Sequence, residues 1–136
     1  MAEEFAIVDA GEIGTEPFPI SGVEHAKLTE LLGAEDMRVN ALILEPDDVV
    51  DYHTHERQEE IYVCTKGPGQ VYIDGDLHEV PEGGVVRVGA AVPRQLLNTT
   101  ESATHRWVMF GAPPVGTVEE FGEYVRSDGG YGSETE

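Results

Sequence analysis

The spacing of apolar positions along this 136-residue chain changes once, near residue 37. Before that point Val23, Lys27, Leu28, Leu31 and Leu32 form a stripe at helical spacing, which predicts a short helix over 23–32. Ser21 can cap it, Glu24 follows three residues later as in a capping box, and Gly33 ends it. Residues 1–22 are punctuated by Gly11, Gly14, Pro17, Pro19 and Gly22 and read as an irregular arm. From Met37 the period becomes two: Val39-Ala41-Ile43 alternates with Asn40-Leu42-Leu44 until the turn Pro46-Asp47-Asp48. Ile61 to Thr65, Gln70 to Ile73, Leu77 to Val80, Val85 to Val88, Arg94 to Asn98 and His105 to Phe110 continue as short strands. Asp74-Gly75-Asp76 joins two of them as a hairpin. Seven or so short strands with one helix in front predict an all-β domain, a sandwich or barrel of antiparallel sheets. The organisation read from the chain is an arm and helix over 1–36, a β domain over 37–115, a short C-terminal segment over 116–126 with a helix at 117–125, and a mobile acidic tail over 127–136.

Charge changes this picture more than composition does. Asp and Glu number 27 against 8 Lys and Arg, a formal net charge of −19. So negative a surface repels nucleic acid and anionic lipid, which excludes both as partners. Lysine is scarce: only Lys27 and Lys66, against six arginines. Heavy acid with little lysine suits a protein working in concentrated salt, where self-repulsion is screened, and we expect a halophilic cytoplasm. The start of the chain is acidic and lacks the basic, then apolar, pattern of a secretion signal, and no stretch is long enough to span a bilayer. The single cysteine, Cys64, fits a reducing compartment.

The chemistry is concentrated in Tyr52-His53-Thr54-His55-Glu56-Arg57-Gln58-Glu59-Glu60. On a strand, His53 and His55 point to one side, and a turn at 56–58 followed by a new strand brings Glu60 back across from them. Two imidazoles and a carboxylate suit one divalent transition metal (Fe, Mn, Ni, Zn or Cu) and leave positions open for a ligand. Cys64 shares a face with Glu60 and Tyr62 and is read as a small buried core residue. His25 and His78 are expected in solvent and His105 at a strand edge. Tyr62 is placed on the cavity wall, Tyr72 and Trp107 in the core or an interface, and Gln58 on a solvent-facing turn, with an auxiliary oxygen ligand as its other reading.

In these residues the chain resembles the cupin superfamily, in particular its small single-domain members with one conserved barrel. The first cupin motif, Gly-x5-His-x-His-x3-4-Glu-x6-Gly, is matched by Asp47, His53, His55, Glu60 and Gly67. The second, Gly-x5-Pro-x-Gly-x2-His-x3-Asn, falls in register with Gly83, Gly89, Ala91, Arg94 and Asn98. The resemblance covers roughly residues 38–112 and implies a double-stranded β-helix, a jelly-roll barrel with its ligand pocket inside. It also implies pairing into homodimers, with the 1–22 arm contributing. Arg94 stands where the family places its last metal-ligating histidine, and a guanidinium cannot ligate a cation. Two readings stay open. Either the metal sits on His53, His55 and Glu60 while Arg94 holds an anionic group of a small-molecule substrate, or Arg94 pairs with Glu60 and the metal site is extinct. The retained histidines favour metal. Function is left between a metal-dependent enzyme acting on a small organic anion and a non-catalytic storage or sensing module with a degenerate site.

Overall fold

The alternating segments from residue 38 onward all fold as strands, and the pairing between them closes two antiparallel sheets around one interior. The structure is a computed structural model that describes residues 4–19, 21–114 and 125–132. In chain order the strands are β1 (Glu16–Pro17), β2 (Glu24–Lys27), β3 (Arg38–Leu44), β4 (His53–Thr54), β5 (Glu59–Lys66), β6 (Gly69–Ile73), β7 (Asp76–Val80), β8 (Val85–Val88), β9 (Arg94–Leu97), β10 (His105–Ala112) and β11 (Val125–Arg126). One sheet runs β1-β2-β3-β10-β5-β8 and the other β11-β4-β9-β6-β7. The β6–β7 hairpin turns through Asp74 and Gly75, with φ of 47° and 89°, the two positive values a tight two-residue turn needs.

The helix expected over 23–32 is not formed as such. Glu24–Lys27 is instead the strand β2, paired with Asn40 to Ile43 of β3, and only the single turn α1 (Thr29–Leu32) is helical. Gly33 does end that turn, in the left-handed conformation at φ 70°. The misreading has a physical cause. Val23 and His25 are buried in the interior, while Ala26 and Leu28 are buried on the sheet's outer side beside Val39, under Val8, Ala10 and Ile13 of the arm. A strand covered on both faces carries nearly continuous apolar residues, and in so short a run this cannot be told from a helical stripe. The helix read at 117–125 lies outside the described residues except for Val125, which opens β11. In the stretch read as a mobile tail, Ser127 donates to the Tyr52 carbonyl (2.7 Å) and Tyr131 to Gln95 Oε1 (3.0 Å), with the Tyr131 ring edge-on to Tyr72.

Three inward-facing rows cross the larger sheet and organise the interior. Arg38, Gly111, Glu60 and Val88 are successive partners in the first, and Lys27, Asn40, Met109, Tyr62 and Val86 in the second. His25, Leu42, Trp107 and Cys64 form the third. From the third row onward the barrel is packed solid, with Leu42, Leu44, Cys64, Val71, Leu96 and Trp107 all at or below 4% exposure. Closeness there explains the glycine that ends the first motif: a Cβ on Gly67 would stand 2.6 Å from Cys64 Sγ. Asn98, the last motif residue, is a clamp. Its amide donates to the carbonyls of Leu44 (3.0 Å) and Ala103 (2.8 Å), and its oxygen accepts from the Thr100 backbone (2.9 Å). The first two rows, by contrast, carry polar side chains and line an open cavity. Among the described residues no helix is long and apolar enough to cross a membrane.

Candidate metal centre

His53, His55 and Glu60 meet in the wall of that cavity. The strand parity that predicted it holds: His53 and His55 are both buried with half-buried Thr54 between them, and β5 alternates exposed Glu59 and Ile61 with buried Glu60, Tyr62 and Cys64. One candidate ligand atom from each of the three lies within 4.8 Å of the other two. The imidazole rings stand edge-on, 5.1 Å between centroids. His53 Nδ1 is 2.7 Å from the Asp51 carbonyl, which accepts its proton and leaves the Nε2 lone pair facing inward.

The two carboxylate oxygens of Glu60 have different neighbours. Oε1 accepts a hydrogen bond from the Tyr62 hydroxyl at 2.5 Å and lies 3.8 Å from Arg94 Nε and 4.0 Å from His53 Nε2. Oε2 faces His55 Nε2 at 3.6 Å. Glu60 is 3% exposed. Burial alone would raise its pKa, but His55, His53 and Arg94 outweigh that penalty and hold it below the usual carboxylate range. Burial pulls His53 the other way, from 6.5 to about 4, against the pull of Glu60. The cluster is therefore an ionised carboxylate beside a neutral imidazole, the protonation states a divalent metal requires. The donor set fits such an ion: imidazole nitrogen and carboxylate oxygen, His53 oriented by the Asp51 carbonyl, with a cavity on the open side.

Arg94 does not reach that cavity. It lies on β9 in register with His53 and is fully buried, and its Nη2 donates to the carbonyls of Gly89 (2.6 Å) and Val88 (3.4 Å). Of the two roles left open by the sequence, the pairing with Glu60 is the one its geometry matches, while the three candidate ligands are nonetheless together. The histidine readings need correcting. His25, expected in solvent, is buried and stacked on Phe18 at 3.7 Å, and His105 is buried beneath the sheet rather than exposed at an edge. Desolvation lowers the pKa of both. His78 is exposed on β7, and Cys64 is a buried core thiol with a raised pKa.

The cavity itself has a volume of about 320 Å³. Tyr62 lines it as expected, held edge-on against Trp107 at 6.3 Å between ring centroids. Arg38, Asn40, Lys27 and Met109 line it, and none of them was read from the sequence as a site residue. The signal was parity: Arg38 and Asn40 share the face of Leu42 and Leu44. Gln58, read as a solvent-facing turn residue, is buried in the wall and donates from Nε2 to the Pro113 carbonyl at 3.0 Å.

A cupin domain family model matches residues 41–111. The chain belongs to the cupin family. Its fold is similar to that of a cupin-superfamily sugar phosphate isomerase from Silicibacter pomeroyi, with TM-score 0.69, 20% identity, and coverage of 78% of this cupin and 74% of that chain. It is also similar to a Thermotoga maritima protein described as a predicted oxalate decarboxylase, with TM-score 0.68, 24% identity, and coverage of 79% and 98%. A cupin 2 conserved barrel domain protein from Salinispora arenicola gives TM-score 0.63, 16% identity, and coverage of 82% and 90%. At these identities the likeness is one of fold. No curated protein matches the sequence. The cupin motif also accounts for Asp47: the family's glycine position has φ 72° here, which aspartate tolerates better than most side chains.

Proposed function

We propose that this cupin binds one divalent transition metal through His53, His55 and Glu60 and acts, as an enzyme, on a small organic anion entering the cavity. The observation that carries the reading is the convergence of two buried imidazoles and an ionised carboxylate, within 4.8 Å of one another, in the wall of an open cavity. Once bound, such a metal supplies Lewis-acid or redox chemistry at positions the protein leaves free. This chain's own residues orient it. The Asp51 carbonyl fixes the His53 tautomer, the Tyr62 hydroxyl donates to Oε1 of Glu60, and the Arg94 guanidinium lies 3.8 Å from the same oxygen. Arg94 is thus a positioning residue whose charge, after the contributions of His55 and His53, favours the ionised Glu60 carboxylate.

The test is elemental analysis of protein purified without chelator in high salt, beside a His53→Ala variant, followed by titration with Fe(II), Mn(II), Ni(II) and Zn(II). About one metal per wild-type chain and none in the variant supports the reading, and no metal in either overturns it. One observation favours a second reading, a non-catalytic binder with a degenerate metal site: the Arg94 cation, 3.8 Å from Glu60, would repel a metal ion. The same titration separates the two.

We further propose cytoplasmic action and a homodimer formed through the outer face of the larger sheet, where Val85 is 63% and Ile61 37% exposed. Sedimentation of wild type against Val85→Glu reads the association directly.

A further inference from the structure

The charged groups of the cavity wall are largely engaged within the protein. Lys27 lies 3.4 Å from Glu16 and Asp51 lies 3.7 Å from Arg126. Glu60 accepts from Tyr62 beside Arg94, and Arg38 has a partner of its own. Two neutral polar side chains are committed as well: the Thr29 hydroxyl accepts from the Val39 backbone at 2.9 Å, and Gln58 donates to the Pro113 carbonyl at 3.0 Å. Asn40 is different. It stands in the second row between Lys27 and Met109, is 7% exposed and lines the cavity, yet its amide makes no hydrogen bond with any described residue. Buried amides are ordinarily paired, so one left open towards a cavity marks a contact still to be made. Phe18, Leu42, Val50, Leu96 and Met109 make much of the remaining wall apolar.

We infer that Asn40 selects the ligand: its amide hydrogen-bonds one hydroxyl or carbonyl on a molecule whose body is otherwise apolar. The inference rests on the cavity being the ligand site proposed above, and it narrows the substrate class to a small anion with an aromatic or branched hydrocarbon body. Asn40 and Tyr62 stand on either side of Met109 in the same row. Neighbouring strands lie about 4.8 Å apart, so the two backbones are roughly 10 Å apart. A single substituted ring bridges such a distance with its apolar flank on Met109, and its anionic group is left for the wall formed by His53, His55 and Glu60. The volume agrees: an apolar cavity of about 150 Å³ takes up benzene, and this one has about 320 Å³. A polyhydroxylated ligand fits worse, because its further hydroxyls would give up water for a hydrocarbon wall.

The experiment titrates the metal-free full-length chain, by calorimetry, with 4-methylphenol, p-xylene and inositol. The first pair differ by a hydroxyl in place of a methyl group, and inositol is a ring that carries a hydroxyl on every carbon. None of these neutral probes needs a metal, so a failure here is separate from a failure of the metal reading, which Zn(II) titration of the same samples reports. Wild type should bind 4-methylphenol more tightly than p-xylene and leave inositol unbound at millimolar concentration. Asn40→Leu puts a hydrocarbon of similar size in place of the amide. The ratio of the two affinities should then move at least about tenfold towards p-xylene, because the phenol hydroxyl is left unpaired. Asn40→Ala adds no bulk and should give the same shift, so it reports even if the leucine disturbs the packing. An unchanged ratio in either variant that folds, p-xylene bound as tightly as 4-methylphenol by wild type, inositol bound as tightly as either, or no binding of 4-methylphenol at millimolar concentration each overturns the inference.

Discussion

Arg94 Nε lies 3.8 Å from Glu60 Oε1, with both side chains sealed from solvent. The two cupin motifs meet in this pair, and a position that supplies a metal ligand elsewhere in the family here supplies a counter-charge. Arg94→Met leaves Glu60 buried without it. The metal-free variant should lose about 3 kcal/mol in urea denaturation, as expected for a buried charge stripped of its partner. The same variant should bind Zn(II) or Mn(II) more tightly, because a cation beside the metal has gone. Unchanged stability together with unchanged metal affinity contradicts the role given to Arg94.

Tyr62 acts on the same oxygen. Its hydroxyl donates to Glu60 Oε1 at 2.5 Å, so Tyr62→Phe should weaken metal binding about tenfold, the usual lower size of an outer-shell deletion. The ring stays packed against Trp107, and the loss of folding stability should stay near 1 kcal/mol. Calorimetric metal titration and urea denaturation of the one variant measure both.

Acid should destabilise the metal-free chain in a defined window. Burial holds His53 near 4 in the folded state against 6.5 when unfolded. Between those values the unfolded chain binds more protons, so stability is kept above pH 6.5 and falls as pH drops towards 4, by about 3 kcal/mol from this residue. Glu60 acts lower: its depressed pKa gives stabilisation present above its ordinary value of 4.5 and lost as pH falls through its folded value. Urea denaturation from pH 7.5 to 4, repeated on His53→Gln, should give a shallower slope for the variant above pH 4.5.

Gly111→Ala should displace Gln58. The new Cβ would stand 2.7 Å from the Gln58 amide carbon, forcing the side chain off the Pro113 carbonyl at a cost of about 1–2 kcal/mol. Gln58→Ala opens that space, so the double variant should be less destabilised than the sum of the singles. Strict additivity counts against the cradle.

Salt should stabilise the fold. With a net charge of −19, raising KCl from 0.1 M to above 1 M shortens the screening length from about 10 Å to about 3 Å and weakens self-repulsion. The melting temperature should climb across that range, and a flat profile removes the case for a halophilic setting.

The barrel was legible because its strands alternate and its turns carry the residues their backbone angles demand; Asp74-Gly75 is an example. The ligand trio was legible for the same reason, since parity alone puts His53 with His55 and Glu60 with Tyr62. Val23–Leu32 was not, because a strand covered on both faces loses its alternation. Arg38 was hidden by a related effect: residues 39, 41 and 43 are wholly apolar while the inward face opens with Arg38 and Asn40, and only its continuation into Leu42 and Leu44 marks it as buried. The destination of Arg94 depends on Gly89 and Val88 presenting their carbonyls, a loop geometry no residue pattern encodes.

The segments that carry the three candidate ligands are held unequally, although His55 N–H also donates to the Ala90 carbonyl (2.8 Å). Glu60 is stitched on both sides along β5, by β10 and β8, whereas β4 is two residues long, meets β9 at the single position His53–Arg94, and is covered on its other side by the two residues of β11. The centre is thus a vice with one fixed jaw and one hinged jaw. Deuterium should enter the amides around His53 well before those around Glu60. Metal capture would then be paced by how often the histidine jaw closes on a carboxylate already in place.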